Sequence, residues 1–253
     1  MKKFEVKLEL LEDAVFEKED FSKAKHLILD MIKDDSSNIK IEDFIEFLSL
    51  SFDAIEDIEE SSHFDDVTNW ALSKYNDIKS SGSPISLEYA DAINTWINHK
   101  IEQVDDPSDV RESRISLNLF TDIIEGTSPN KAAEELTSDY QGYATYALLV
   151  GLSEGDNPLI DSAIAAQRKV MDLYTTGKFP DYYNLKVFMA ESKRALASTL
   201  MEAYEFDNDR YSHYHDEMGT LLRGAISEFE GCGTDFDKEY TSKLLGKYES
   251  YKL

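Results

Sequence analysis

Histidines and carboxylates concentrate in one stretch of this chain, Asp209-Arg210-Tyr211-Ser212-His213-Tyr214-His215-Asp216-Glu217. On a continuous helix Asp209, His213 and Glu217 stand at i, i+4 and i+8 and share a face, a spacing that could chelate one metal ion. His215 would point to the far side of the same helix. No second His-x-x-x-His or Glu-x-x-His segment supplies further ligands, so a hydrated face with histidines paired to acids is the plainer expectation. Nucleophile and phosphate motifs are missing: there is no Gly-x-Ser-x-Gly, no glycine-rich loop opening a helix and no Cys-x-x-Cys. Cys232, set between two glycines, has no Lys or His within four residues to activate its thiol. The acidic loops at 105–109 and 233–237 lack the spacing and terminal Glu of a helix–loop–helix calcium site. These residues predict neither an enzyme nor a bound cofactor.

What chemistry the chain does carry is charge. Residues 41–70 hold ten Asp or Glu and no Lys or Arg, in a chain of 51 acids, 26 bases and formal net charge −25. Residues 1–126 contain 30 acids and 13 bases, whereas 127–253 contain 21 and 13, so the negative field is strongest in the first half. Charge of this size works against the compact state. A face that serves only solubility normally mixes signs and gains i, i+4 pairs, and here no base offsets any acid. Glu42, Glu46, Asp53, Asp57 and Glu60 fall opposite the apolar stripe of their segment, while Phe47 and Leu50 lie off that stripe, as apolar anchors among carboxylates would. Interfaces for basic proteins use this combination, with charge steering the encounter and buried apolar groups holding it. The expected partner-binding set is therefore Glu42, Glu46, Phe47, Asp53, Asp57 and Glu60, and the expected partner is a basic protein. A solvated helix face is the bland alternative for any charge run. With no basic patch, the net charge also argues against nucleic acid and anionic membrane surfaces as partners.

The elements that must position these residues read as helices. Ile41, Phe44, Ile45, Leu48, Phe52, Ile55 and Ile58 follow i, i+3, i+4, i+7 spacing. Similar stripes predict helices over 63–80, 86–104, 108–126, 182–206 and 208–230, with a Tyr-rich last helix through Phe236, Tyr240, Leu244 and Tyr248. Two more run through Tyr140, Tyr143, Ala144, Ala147, Leu148 and Gly151, and from Asn157, read as an N-cap before Pro158. Gly- and Pro-bearing breaks separate them. At the N-terminus Phe4, Val6, Leu8 and Leu10 alternate like a strand, and Phe4, Leu8, Leu11 and Val15 fit a helix equally well. A lone strand would need a mate, which a second copy could supply in a homodimer. The expectation is an all-α domain of about ten helices, an irregular bundle or stacked helical hairpins, with a short N-terminal strand or arm left open. Its subdomains would be a strongly acidic half, 1–126, and a Tyr/Ala-rich half, 127–253. One cysteine excludes an internal disulfide and suits a reducing compartment. No apolar run nears the ~18 residues of a membrane span, so a soluble cytoplasmic protein is expected.

The stretch Tyr140-Gln141-Gly142-Tyr143-Ala144-Thr145-Tyr146-Ala147-Leu148-Leu149-Val150-Gly151, then Gly155-Asp156 and a capped amphipathic helix, covers about 40 residues. With the size, acidity and helical pattern, it resembles helical immunity proteins of bacterial polymorphic-toxin systems. That resemblance implies an inhibitor that occludes a toxin such as a nuclease and uses no catalytic residues. An anti-defence inhibitor of a mobile element would show the same physics. The alternative is an adaptor that holds a peptide or protein in a groove lined by Tyr182, Tyr183, Tyr211, Tyr214, Tyr248 and Tyr251, residues that could equally be half-buried packing. A helical metalloenzyme built on His213 is a third reading.

Overall fold

The computed structural model describes residues 2–33, 39–56, 61–103, 110–126, 131–181 and 183–251, and every regular element among them is a helix. The protein is all-α, and its chain divides into two compact units, Met1–Pro107 and Ser108–Leu253. The division falls earlier than the Gly126 break because the helix ending there packs on the one that follows it. None of the described helices is long and apolar enough to cross a membrane.

Unit 1 begins with α1 (Lys2–Glu12), which runs on through a π-helical turn, Asp13–Glu17. The N-terminus is thus helix and not strand. Phe4, Leu8, Leu11 and Val15 are buried, while Val6 and Leu10 are half-exposed. The helical stripe wins because a helix satisfies its own backbone, whereas an isolated strand would leave its amides and carbonyls unpaired. With a helix in its place, this segment needs no second copy as a strand mate. Glu19, at φ 48°, helps turn the chain into α2 (Phe21–Lys33), whose first turn is capped by Asp20 Oδ1 accepting from Lys23 N at 3.1 Å.

Helices α3 (Ile41–Glu56), α4 (Ser61–Ser80) and α5 (Ser86–Gln103) complete unit 1. α3 packs against α1, α2, α4 and α5, so it buries far more than one stripe. Its core residues are Ile41, Phe44, Phe47, Leu48, Leu50, Ala54 and Ile55. Trp70 of α4 organises the aromatic centre: Phe47 meets it edge-on at 4.8 Å, Phe44 stacks at 5.5 Å and Phe4 at 6.4 Å. A second cluster joins Phe64 and Trp96 at 4.5 Å, and Trp96 Nε1 donates to Thr68 Oγ1 at 2.9 Å across α4 and α5. Tyr89 donates its hydroxyl to the Ile39 carbonyl at 2.7 Å, tying the start of α3 to α5.

Unit 2 contains α6 (Val110–Gly126), α7 (Ala133–Glu154), α8 (Asn157–Thr176), α9 (Leu185–Phe206), the single turn α10 (Asn208–Tyr211), α11 (His215–Cys232) and α12 (Asp235–Ser250). Each long helix packs chiefly on its long neighbours in the chain, the arrangement of successive helical hairpins. The small-residue face of α7 lets α8 approach closely. A Cβ on Gly151 would lie 2.8 Å from Ile160 Cγ1 and 3.1 Å from the Ile160 backbone nitrogen. The hairpin turns at Gly155, whose φ of 69° closes α7 with a left-handed cap. Asp156, one residue earlier than expected, is the N-cap of α8 and accepts from Leu159 N at 3.1 Å. Helices are then joined by ion pairs: Arg168 to Glu217 at 2.8 Å, Arg194 to Asp237 at 3.0 Å, and Arg114 to Glu154.

Candidate functional site: an acidic groove in unit 1

α3 and α5 lie side by side in unit 1, with a groove of about 420 Å³ between them. Ile45, Leu48, Ser49 and Phe52 line it from α3, and Glu88, Asp91, Ala92, Thr95 and Trp96 from α5. Each helix contributes residues at i, i+3, i+4 and i+7, one continuous stripe per wall. The floor is apolar. Ile45 is 48% exposed, although its spacing placed it with the core, because α5 does not close over that end of α3. Phe52 is half-buried, its ring 6.2 Å edge-on to Trp96 and 6.1 Å to Phe64.

Carboxylates surround this floor. Glu88 and Asp91 line it directly and are exposed, and no Lys or Arg is among the described lining residues. On α3, Glu42 and Glu46 are exposed and Asp53 is half-buried. Among the described residues the side chains of Glu42, Glu46, Asp53, Glu88 and Asp91 make no ion pair and no hydrogen bond, unlike the carboxylates that join the helices of unit 2. Partial burial, followed by the neighbouring carboxylates of Glu12 and Asp43, pushes the Glu46 carboxyl above its ordinary value. The Tyr89 hydroxyl is raised as well, first by burial and then by Glu42, Asp43 and Glu88. Burial is the larger cause of both shifts and the neighbouring carboxylates add to it; at the start of α3 the Lys40 ammonium is raised in turn, first by Glu5 and then by Asp43 and Glu42.

The structure divides the expected partner-binding set. Glu42, Glu46 and Asp53 share the outer side of α3, whereas Asp57 and Glu60 lie outside the described residues. Phe47 is a correction: it is fully buried, 5.8 Å from Phe4 and 4.8 Å from Trp70, and cannot anchor a partner. Leu50 is buried too. The apolar anchors that are accessible, Ile45 and Phe52, belong to the stripe that spacing assigned to the core. Glu88, Asp91 and Trp96 were not singled out by the sequence as binding residues. Nothing in the sequence says that α5, with α4 between them in the chain, lies beside α3.

The histidine cluster does not form the face its spacing implied. The chain from Asn208 to Glu217 is broken into α10, a 3-10 turn at Ser212–Tyr214 and the start of α11, so Asp209, His213 and Glu217 lose their i, i+4, i+8 register. His213 Nδ1 sits 3.0 Å from the Arg210 carbonyl, and Glu217 accepts from Arg168. Among the described residues no three His, Cys, Asp or Glu gather as a metal site would require. Cys232 closes α11, half-buried, with its Sγ donating to the Glu228 carbonyl at 3.0 Å.

The tyrosines do not line one groove. Tyr211 and Tyr248 are each 1% exposed, and burial pushes the Tyr211 hydroxyl up to about 12. Tyr183 packs with Phe179 at 5.3 Å and Phe188 at 4.7 Å. Tyr251 donates to Glu205 at 2.5 Å, Tyr214 lies under the Arg168 guanidinium, and Tyr182 lies outside the described residues.

No family model and no curated protein matches the chain. Among solved structures, a chain described as "DHF58 filament" aligns over 97% of this chain and 94% of its own length, with 12% sequence identity and a TM-score of 0.27. A likeness at that score carries no argument about fold or function.

Proposed function

We propose that this chain is a non-enzymatic binding protein that captures a basic protein through the acidic side of unit 1 and acts on it as a stoichiometric inhibitor. An immunity protein that occludes a toxin such as a nuclease is the form that fits best, because a nucleic-acid cleft must be basic. An inhibitor carried by a mobile element against a defence protein would use the same physics. One observation carries the reading: an apolar groove whose described lining holds the unpaired carboxylates Glu88 and Asp91 and no base. Unpaired exposed acids cost self-repulsion and return little to the fold, so a cationic partner gives them a purpose. Their field would speed capture by roughly 10- to 1,000-fold at low salt, and the apolar floor would slow release.

The test uses a fourfold charge reversal, Glu42→Lys, Glu46→Lys, Glu88→Lys and Asp91→Lys. All four side chains are exposed and unpaired, so the fold should survive, which circular dichroism checks. Wild-type protein immobilised at low salt is expected to retain one basic protein at 1:1 stoichiometry, and the reversed variant to lose it. The retained protein, assayed as a nuclease, should be silenced by one equivalent of the wild type. Equal capture by the reversed variant would show that the acidic surface is only solvated.

A further inference from the structure

The α3/α5 groove constrains the form of what enters it, and this inference rests on the reading of unit 1 as a surface for basic proteins. We propose that the groove receives a single basic amphipathic helix of the partner, about two turns of which lie between α3 and α5.

Backbone hydrogen bonding decides for a helix. Any segment laid on an apolar floor must satisfy its amides and carbonyls internally or find partners in the walls. The walls offer few. Ile45, Leu48, Phe52, Ala92 and Trp96 present carbon or a tryptophan nitrogen already committed to Thr68. Thr95 Oγ1 donates to the Asp91 carbonyl at 3.1 Å, which leaves Ser49 as the remaining neutral polar side chain. No strand edge exists among the described residues, so an extended segment could not be bound by strand addition. A helix brings its own hydrogen bonds and needs only side-chain contact.

Groove shape and charge set the rest. The wall stripes at 45, 48, 49 and 52 and at 88, 91, 92, 95 and 96 run for roughly 10–12 Å, about two helical turns. Ridges at these spacings accept a third helix whose apolar residues stand at i, i+3 or i+4, and i+7. Glu88 and Asp91 on one wall, and Glu42 and Glu46 on the other helix, would then face Lys or Arg flanking that apolar stripe. Several side chains fit in 420 Å³, so the partner helix would insert its anchors rather than merely rest on the surface.

A displayed library of random peptides of about 16 residues, long enough for four turns, tests this on the full-length protein. Selection on the wild type is followed by binding measurements on Ser49→Trp and, as a second blocked groove, Thr95→Trp; both positions are exposed, so an indole there fills the groove without disturbing the core. The expected winners are net positive with apolar residues at i, i+3 or i+4, and i+7. Their affinity should fall at least about tenfold in either blocked variant, and by a similar factor when Pro replaces a central residue of the peptide. Basic winners without helical periodicity that bind the blocked variants normally would overturn the helix and leave the basic-partner reading standing. Periodic winners without positive charge would overturn the proposal together with that reading. Winners that are neither basic nor periodic, or no enrichment beyond the blocked variants, would likewise overturn the proposal.

Discussion

Replacing Phe47 by Ala separates a core residue from a binding anchor, the two roles that its position off the α3 stripe left open. Its ring is fully buried, with Phe4 at 5.8 Å and Trp70 edge-on at 4.8 Å. Truncating a buried Phe costs about 3–5 kcal/mol, and aromatic pairs of this geometry add roughly 0.5–1.5 kcal/mol beyond area burial. The loss should therefore be at least mid-range, about 4 kcal/mol, against a total stability of roughly 5–15 kcal/mol for a domain of this kind. With a urea slope near 2 kcal/mol per molar, the unfolding midpoint of unit 1 should drop by about 2 M. The assay is built into the chain. Both of its tryptophans, Trp70 and Trp96, lie in unit 1, so tryptophan fluorescence follows that unit alone. Ile45→Ala is the matched control: half-exposed in the groove, it should move the midpoint by less than about 0.5 M. If Phe47→Ala leaves the midpoint within about 0.3 M and instead weakens partner capture, the packing described for α3 is wrong.

Gly151→Ala should destabilise unit 2 by about 1–3 kcal/mol, because its new methyl would crowd the Ile160 side chain and backbone; thermal melts by circular dichroism would show it, with tryptophan fluorescence unmoved. Stability should also peak at mildly acidic pH. Burial raises Glu46, Glu191 and Glu202, so the folded state holds these protons longer, and stability falls as pH rises from the unfolded through the folded values. Hydrogen bonds, chiefly from Lys18, Arg114, Thr234 and Lys243, lower Asp13, Glu154, Asp237 and Glu239, whose contribution is lost as pH falls through their folded values. A melting temperature that climbs steadily from about pH 5 to pH 8 would contradict this balance.

Helices were legible in the sequence where one face is buried. α4 and α5 show it: Phe64, Val67, Ala71 and Tyr75, and Tyr89, Ile93, Trp96 and Ile97, are buried as their spacing indicates. α3 was legible as a helix but not as to which side faces water. Packed against four other helices, it buries Phe47 and Leu50 and leaves Ile45 out. A periodicity argument assumes one interface per helix, and α3 has several. The break at 208–217 was missed for a related reason: its polar residues are tolerated by a helix and by a 3-10 turn alike. Of the candidate site, the acidity was plain in composition. The groove was not, because it requires two helices to meet that the chain separates by a third.

Salt should act in opposite directions on the fold and on the function of unit 1, and that opposition is the most discriminating consequence of its charge. Most of the formal −25 lies in the first half of the chain, and among the described residues the carboxylates that line the groove, Glu88 and Asp91, form no ion pair. Their mutual repulsion reaches over a Debye length of ~30 Å at 0.01 M salt but only ~8 Å at 0.15 M. Raising sodium chloride through this range therefore removes a penalty on the compact state, and the tryptophan-detected midpoint of unit 1 should rise. The same screening weakens steering, so the association rate with a basic partner should fall at least about tenfold. Loss of capture at high salt then cannot be loss of fold, since the fold is tightening as capture fades. A midpoint that drops with salt while capture drops alongside it would mean that the carboxylates are held in place by unseen cations, and that the acidic side of unit 1 is already occupied by structure rather than free for a partner.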